Sequence, residues 1–196
     1  ETDVGLSRQE SARTWVLKLA RYREPSFGRS LFELSVTVGP FLLLWALAWI
    51  ALELSPFLSL AIAILNGGFL VRIFVIQHDC GHGSFFAHRQ LAHAVGSALG
   101  IVTLFPYGYW KKTHAIHHAT SGNLDVRGLG DIDTLTVREY LSRSKAKRVM
   151  YRLYRHPAVL LLIGPTWQFV LKHRLPLDVP RSWKRGQIGV QLTNLA

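Results

Sequence analysis

Two long runs of almost wholly apolar residues dominate the first part of the chain. They cover residues 34–54 and 57–76, with only the break Ser55-Pro56 between them. About 20 apolar residues in a helix cross the roughly 30 Å hydrocarbon layer of a bilayer. The pattern therefore predicts two transmembrane helices that form a hairpin, with Pro40 as a kink in the first.

Three later apolar stretches are shorter. Residues 91–105 contain two glycines and predict a shallow helix in the membrane interface. Residues 159–171 are interrupted by Gly164-Pro165 and fall short of a full crossing. Residues 187–196 turn apolar again, and we interpret them as the start of a further span.

The polar stretches predict surface elements. The amino-terminal segment, residues 1–30, has mixed charge and a short amphipathic helix at Trp15–Leu19. Residues 120–136 are rich in Gly and Asp and predict a loop, whereas residues 138–155 form a strongly basic, helix-like stretch. The aromatic group Phe105–Trp110 is typical of side chains that anchor at headgroup level.

Composition supports a membrane class. Hydrophobic residues make up 49% of the 196 residues, and six are tryptophan. The fold class predicted is an all-α integral membrane protein: a transmembrane hairpin, then cytoplasmic and interfacial helices in residues 77–186, all within one partial domain. A single cysteine, Cys80, excludes an internal disulfide, and we expect it to serve in packing.

The net charge of +11, from 23 Lys and Arg against 12 Asp and Glu, is compatible with nucleic acid, anionic lipid or membrane topology. No aromatic-basic nucleic-acid motif is present, so we expect no nucleic-acid partner. The basic residues lie outside the centres of the apolar runs: Arg72 is near the end of the second run, and all the others are in residues 1–30 or after residue 77. The positive-inside tendency predicts that both regions are cytoplasmic.

Two histidine clusters carry the candidate chemistry. The first is His78-Asp79-Cys80-Gly81-His82, and the second is His114-Ala115-Ile116-His117-His118. On a helix, positions i, i+3 and i+4 share one face, so the imidazoles of each cluster would converge. The spacing predicts a metal site but does not select among zinc, copper, nickel and iron.

The number of imidazoles helps to choose between a site for one metal ion and a site for two. Five exceed the three protein ligands that a catalytic zinc usually takes, and a pair of metal ions fits better. Redox-active iron could activate dioxygen at the membrane, where an acyl chain would be the substrate. A hydrocarbon C–H bond resists ordinary acid–base chemistry, so the metal would have to supply the oxidant.

The sequence resembles the membrane fatty acid desaturases. The two histidine clusters match the family's first two histidine boxes, and the surrounding sequence is most similar to the bacterial acyl-lipid omega-6 or delta-12-like branch. The similarity extends from about Phe27 to the end of the chain, and its flanking matches are Phe105–Trp110, Gly130–Thr136, Tyr154–Pro157 and Gly164-Pro165.

The resemblance implies a non-haem di-iron enzyme that inserts a cis double bond into a fatty acyl lipid, acyl-CoA or carrier-bound acyl chain. Dioxygen would be the co-substrate, and ferredoxin or a b-type cytochrome with its reductase would supply two electrons. The expected location is a bacterial cytoplasmic membrane, with the boxes on the cytoplasmic side. The iron ligands carried over by position are His78, His82, His114, His117 and His118.

The family pattern includes a third box, His-x-x-His-His, that nothing here matches. The chain also begins with Glu1 and ends at Ala196 within an apolar run. We therefore expect a fragment whose incomplete site is inactive alone. Di-iron hydroxylases or ketolases of alkanes and carotenoids share part of the pattern, and a non-catalytic membrane metal-binding protein is a further alternative.

Other polar residues have candidate roles around the boxes. Several could hydrogen-bond ligand imidazoles and fix their tautomers, although loop capping explains each equally well: Asp79, Asn123, Asp125, Asp131 and Asp133. The histidines outside the boxes are expected to be structural or interfacial: His88, His93, His156 and His173. Four basic residues could dock an acidic electron donor, with topology or lipid contact as the alternative: Lys145, Lys147, Arg148 and Arg152.

Overall fold

The computed structural model describes residues 14–20, 24–126, 132–172, 174–175 and 182–195, and every regular element among them is helical. The chain divides into two compact units, Glu1–Leu99 and Gly100–Ala196. The all-α prediction is confirmed for these residues. Residues 14–20 are helical, as the amphipathic pattern around Trp15 predicts, while residues 1–13, to which the predicted amino-terminal segment extends, lie outside the described residues.

Two antiparallel helices form the hairpin of the first unit. Helix α1 is Phe27–Leu54 and helix α2 is Pro56–His82, and they pack along each other. Both are long and apolar enough to cross a membrane, with mean hydropathies of 1.9 and 2.1. The predicted transmembrane hairpin is confirmed, and Pro40 lies within α1, which is a single helix.

The hairpin turn is one residue long. The Ser55 hydroxyl accepts a hydrogen bond from the Leu58 N–H at 3.4 Å, and Pro56 occupies the first position of α2, where no N–H partner is needed. The Ser59 hydroxyl donates to the Ala48 carbonyl at 2.8 Å. These contacts fix the close pairing of the two helices at the turn.

The other end of the hairpin carries the first histidine cluster. Helix α2 continues beyond the apolar run at residues 57–76 and ends only after His82, because Gly83 adopts a left-handed conformation with φ of 72°. The Ser30 hydroxyl of α1 donates to the Phe85 carbonyl, and the rings of Phe27 and Phe86 lie 6.0 Å apart. The segment after α2 is thereby tied back to α1.

Helix α3 is Arg89–Val102 and helix α4 is Tyr107–Thr120. The short helix predicted over residues 91–105 is therefore present. The prediction that the Phe105–Trp110 group anchors at headgroup level is wrong. All four of its aromatic rings, those of Phe105, Tyr107, Tyr109 and Trp110, are buried, each no more than 6% exposed. These rings pack inside the protein instead.

The basic stretch at residues 138–155 is two helices and not one. Helix α5 is Val137–Ser142, and helix α6 is Lys145–Tyr154. Thr136 and Glu139 form a capping box at the start of α5, and the Ser144 hydroxyl accepts from the Lys147 N–H at the start of α6. Two N-terminal caps within ten residues explain the break that charge and helix propensity did not predict.

The remaining helices lie after α6 in the chain. Val159–Ile163 and Trp167–Lys172 are π-helical and flank a short helix α7, Gly164–Thr166. Helix α8, Lys184–Leu195, packs against α4, where Tyr109 and Val190 form a buried cluster with Trp183 beside it. The Lys112 ammonium lies 3.6 Å from the Trp183 ring centre, which adds a cation–π contact to this packing.

Candidate metal centre

His78 and His82 lie one turn apart on the last two turns of α2. Their Nε2 atoms are 3.2 Å apart, and their ring centroids are separated by 4.4 Å. His82 is exposed and His78 is partly buried. The i, i+4 spacing thus places both nitrogens at one point of the surface, as the sequence predicts.

The separation of these nitrogens fits ligands of a single ion. Two imidazole nitrogens at about 2.1 Å from a metal and at right angles to each other lie about 3.0 Å apart. Without a metal, the same distance requires that one ring donates a proton to the lone pair of the other. A metal ion would need an unprotonated Nε2 on each ring, and two facing Nε2 atoms are a donor pair that suits a transition metal.

Asp79 holds the orientation of the His78 ring. Its Oδ1 lies 3.2 Å from His78 Nδ1. A carboxylate at this position favours the tautomer in which Nδ1 carries the proton and Nε2 presents its lone pair. The expected supporting role of Asp79 therefore has a geometric basis, whereas Cys80 is 1% exposed and serves in packing.

A cavity of about 890 Å³ opens beside this first pair. Asp79 and His82 lie in its lining, together with Glu33 and Arg72. The Glu33 and Arg72 side chains form an ion pair between α1 and α2 at 3.0 Å. His82 is therefore reached from an opening of mixed polarity within the same unit.

The second pair lies on α4 and has the same geometry. The Nε2 atoms of His114 and His118 are 3.0 Å apart, with ring centroids at 4.5 Å. The ring of Trp110, one turn earlier, stacks on His114 at 4.7 Å with an interplanar angle of 18°. The separation of the nitrogens again fits two adjacent ligands of one ion.

His117 lies beside this pair. Its ring centroid is 5.9 Å from that of His114 and 5.7 Å from that of His118. It is partly buried on the same face of α4. Five imidazoles thus fall into two sets, one on α2 and one on α4, as the spacing of the boxes predicts.

Two histidines outside the boxes are helix or turn caps. His88 Nδ1 accepts from the Leu91 N–H at the start of α3, and His156 Nδ1 accepts from the Ala158 N–H, both at 3.3 Å. His93 is exposed on α3, and His173 lies outside the described residues. The expected structural roles are thus found for His88 and His156.

The acidic and amide candidates after α4 have mainly loop roles. Asn123 Oδ1 accepts from the Asp125 N–H at 3.0 Å, which closes a local turn. The Asp133 N–H donates to the Tyr154 hydroxyl at 3.3 Å, and Asp133 lines a cavity together with residues of α6. Asp131 lies outside the described residues.

Sequence reasoning missed the contact between Trp110 and His114. Their i, i+4 spacing was a usable signal, because aromatic rings at this spacing meet on one helix face. The Phe105–Trp110 group was instead interpreted as a headgroup anchor. Its burial shows that Trp110 supports the second histidine pair from within the protein.

The fold and the site define the class: an all-α membrane protein with histidine pairs on its helices. Comparison with known proteins gives the family. The family model described as fatty acid desaturase matches residues 54–191. A protein of Bacillus subtilis (strain 168) named fatty acid desaturase is 44% identical over 179 residues, which cover 91% of this chain and 50% of that protein. The chain belongs to the fatty acid desaturase family.

More distant relatives match over about half of the chain. A Synechocystis sn-1 acyl-lipid omega-3 desaturase (ferredoxin) is 37% identical over 102 residues, covering 52% of this chain and 28% of the relative. A Picosynechococcus sn-1 oleoyl-lipid 12-desaturase is 31% identical over 100 residues, covering 51% and 27%. The chain thus spans half the length of the Bacillus relative and less of these two, and no solved structure matches it.

Proposed function

We propose that the protein is a membrane fatty acid desaturase that introduces a cis double bond into a membrane-associated acyl chain. The observation that carries the proposal is the pair of histidines on each of two helices, with Nε2 atoms 3.2 and 3.0 Å apart, in a chain of this family. The two apolar helices support a substrate that is drawn from the bilayer.

The proposed metal ligands are the five box histidines, and the proposed metal is a pair of iron ions. The ligand positions are His78, His82, His114, His117 and His118. When bound, the iron pair would use dioxygen and two electrons to remove two hydrogens from the acyl chain. Five neutral imidazoles exceed the needs of one zinc ion, which supports the larger centre.

The protein's own residues prepare these ligands. Asp79 would accept a hydrogen bond from His78 Nδ1–H, so that Nε2 presents its lone pair to the metal. Trp110 restricts the rotation of the His114 ring by stacking on it. The left-handed Gly83 ends α2 immediately after His82 and so fixes the last ligand of that helix at the helix end.

The proposed location follows from charge. Residues 1–30 and 77–186 would lie in the cytoplasm, with residues 34–54 and 57–76 in a bacterial cytoplasmic membrane and a further span beginning at residue 187. Both boxes would then meet a cytoplasmic electron donor, ferredoxin or a b-type cytochrome. One relative carries ferredoxin in its name, which supports the first of these.

Expression of the complete gene in a desaturase-deficient bacterium, together with a ferredoxin and its reductase, tests the proposal. Gas chromatography of fatty acid methyl esters should reveal a new cis-monoene or diene. The variant His117→Ala/His118→Ala should abolish the product, and His156→Ala, outside the boxes, should retain it. A hydroxy or keto product would instead indicate oxygen insertion, and no product from an iron-loaded protein would contradict an enzymatic role.

A further inference from the structure

One side of α6 is held by the segment that precedes it. The hydroxyl oxygens of Tyr151 and Tyr154 accept from the N–H groups of Leu135 and Asp133, at 3.1 and 3.3 Å. The Arg152 Nε–H donates to the Tyr140 hydroxyl of α5 at 2.6 Å. The tyrosine side of α6 therefore faces protein.

Arg148 strengthens the same attachment. Its Nε–H donates to the Arg143 carbonyl and its Nη2–H to the Leu141 carbonyl, both at 2.8 Å. These carbonyls lie at and beyond the end of α5, where helix carbonyls lack intrahelical partners. Arg148 and Arg152 are thus engaged within the protein and hold the pair α5–α6 together.

The opposite side of α6 is apolar and exposed. Its large side chains, Val149, Met150 and Leu153, are 53%, 66% and 54% exposed. With Ala146 they fall within about 100° of the helix circumference. In water such a face would be costly, because three apolar side chains are left uncovered on one short helix.

Basic residues border this apolar face. Lys145 and Lys147 are exposed at the start of α6, on either side of the apolar positions, and α6 contains no acidic residue. An apolar face between lysines is the pattern of helices that lie in the plane of a membrane. The lysine ammonium groups can reach headgroup phosphates while their stems cover the acyl boundary.

The membrane is an available partner for this surface. The chain contains two helices that can cross a bilayer, so the protein is held at one. Only four residues separate α6 from the segment Val159–Ile163, in which Leu161, Leu162 and Ile163 are 73%, 72% and 61% exposed. An apolar, outward-facing segment that follows α6 directly favours lipid over a soluble partner.

We infer that α6 lies in the membrane interface, with its apolar face of Ala146, Val149, Met150 and Leu153 in the acyl boundary and Lys145 and Lys147 on anionic headgroups. The pair α5–α6 is thus a lipid-contacting surface that contains none of the box histidines. The inference does not rest on the proposed function, because it requires only that the protein resides in a bilayer.

Spin-label accessibility in the full chain tests this surface. Met150→Cys places a nitroxide on the apolar face, and Arg155→Cys, at the C-cap of α6, places one about 140° away around the helix. Cys80 is buried, and the unsubstituted chain serves as the labelling control. The proteins are reconstituted in nanodiscs of phosphatidylcholine, alone or mixed with phosphatidylglycerol, and collisions with oxygen and with a water-soluble nickel chelate are measured.

In anionic nanodiscs the oxygen-to-nickel collision ratio should be several-fold higher at position 150 than at position 155. Lys145→Gln/Lys147→Gln should reduce this contrast to its value in phosphatidylcholine alone. Arg89→Gln/Lys184→Gln, which removes the same charge elsewhere, should leave it unchanged. Each variant is compared with the parent by circular dichroism to establish that it is folded.

Three results would overturn the inference. Access of the nickel reagent to position 150 in both lipids would place the face in water. A strongly immobilised label shielded from both reagents would mean that protein covers it. A contrast that is equal in both lipids and unaffected by loss of the two lysines would remove the assignment to anionic headgroups.

Discussion

The indole ring of Trp110 lies nearly parallel to the imidazole ring of His114, with centroids 4.7 Å apart and planes inclined by 18°. Trp110 is buried, and the neighbouring Thr113 hydroxyl donates to its carbonyl at 2.9 Å. A fixed indole therefore limits the rotation of a proposed metal ligand. This contact links the core of the second unit to the chemistry of its histidine pair.

Trp110→Leu should weaken metal binding, because His114 would gain rotational freedom that binding must then remove. Loss of a supporting partner of this kind typically costs about 10-fold in metal affinity. Trp110→Phe retains an aromatic face and should lose less. Titration of the purified protein with cobalt(II), followed by absorption, measures the effect.

The control for that substitution is Trp49→Leu, since Trp49 is 60% exposed on α1 and remote in sequence from both boxes. It should bind cobalt(II) like the parent. Equal affinity in Trp110→Leu and the parent, with both folded, would show that stacking does not support the ligand.

Removal of a box histidine should have a larger effect than removal of a capping histidine. His118→Ala deletes one of two nitrogens that lie 3.0 Å apart, and the metal affinity should fall more than about 100-fold, the upper range for loss of a supporting partner. His88→Ala should keep the metal and lose at most about 1 kcal/mol of stability, as for a helix cap.

Iron content by mass spectrometry, combined with thermal unfolding, separates these two effects. The combination matters because an unfolded His118→Ala protein would also lack metal. A His118→Ala protein that keeps both its unfolding temperature and its iron would exclude His118 as a ligand.

The Glu33–Arg72 ion pair should stabilise the hairpin cooperatively. The Arg72 Nη2 lies 3.0 Å from Glu33 Oε2, and its Nε–H donates to the buried Thr37 hydroxyl at 3.3 Å. Glu33→Gln leaves the Arg72 guanidinium without its anionic partner, and Arg72→Met leaves the Glu33 carboxylate without its cationic partner. The coupling energy from a double-mutant cycle should be about 1 kcal/mol, the upper range for partly exposed pairs.

Unfolding of the four proteins in mixed detergent and sodium dodecyl sulfate micelles provides the cycle. Thr37→Val tests the second contact and should cost less than Arg72→Met. Strict additivity of the Glu33 and Arg72 substitutions would mean that the pair contributes no interaction energy to the hairpin.

Hydropathy and spacing predicted the parts of the fold that local sequence determines. The two apolar runs gave the hairpin, and the i, i+4 histidines gave the nitrogen pairs on α2 and α4, because both depend only on helix geometry. Hydropathy placed the end of the second run at residue 76, whereas α2 continues to the left-handed Gly83. An apolar run indicates which part of a helix is surrounded by lipid, whereas the capping residue determines where the helix ends.

Other features depend on packing between distant residues. The burial of Tyr109 arises from its contact with Val190 on α8, which no local pattern contains. The break between α5 and α6 was available in principle, since Thr136 and Glu139 have capping-box spacing. The prediction of a single stretch over residues 138–155 rested on its basic charge and did not use this capping-box spacing.

The turn between α3 and α4 requires a glycine at position 100. A Cβ there would lie 2.7 Å from the Phe105 carbonyl oxygen and 3.2 Å from Tyr107 Cβ, and the Phe105 N–H donates to the Gly100 carbonyl at 2.8 Å. Gly100→Ala should therefore destabilise the protein by roughly 1–3 kcal/mol through overpacking. Gly108, in the first turn of α4, is the matched control because nothing lies within 4 Å of its added Cβ.

Gly108→Ala should be neutral or stabilising by up to about 1 kcal/mol, since alanine restricts the unfolded chain and favours helix. Thermal unfolding gives the sign of each change, and hydrogen exchange of the amides at residues 104–110 locates it. Because α4 begins directly after this turn, loosening at Gly100→Ala should also increase exchange in the helix that carries His114. Equal unfolding temperatures for the two alanine variants would show that the close approach at Gly100 relaxes without cost.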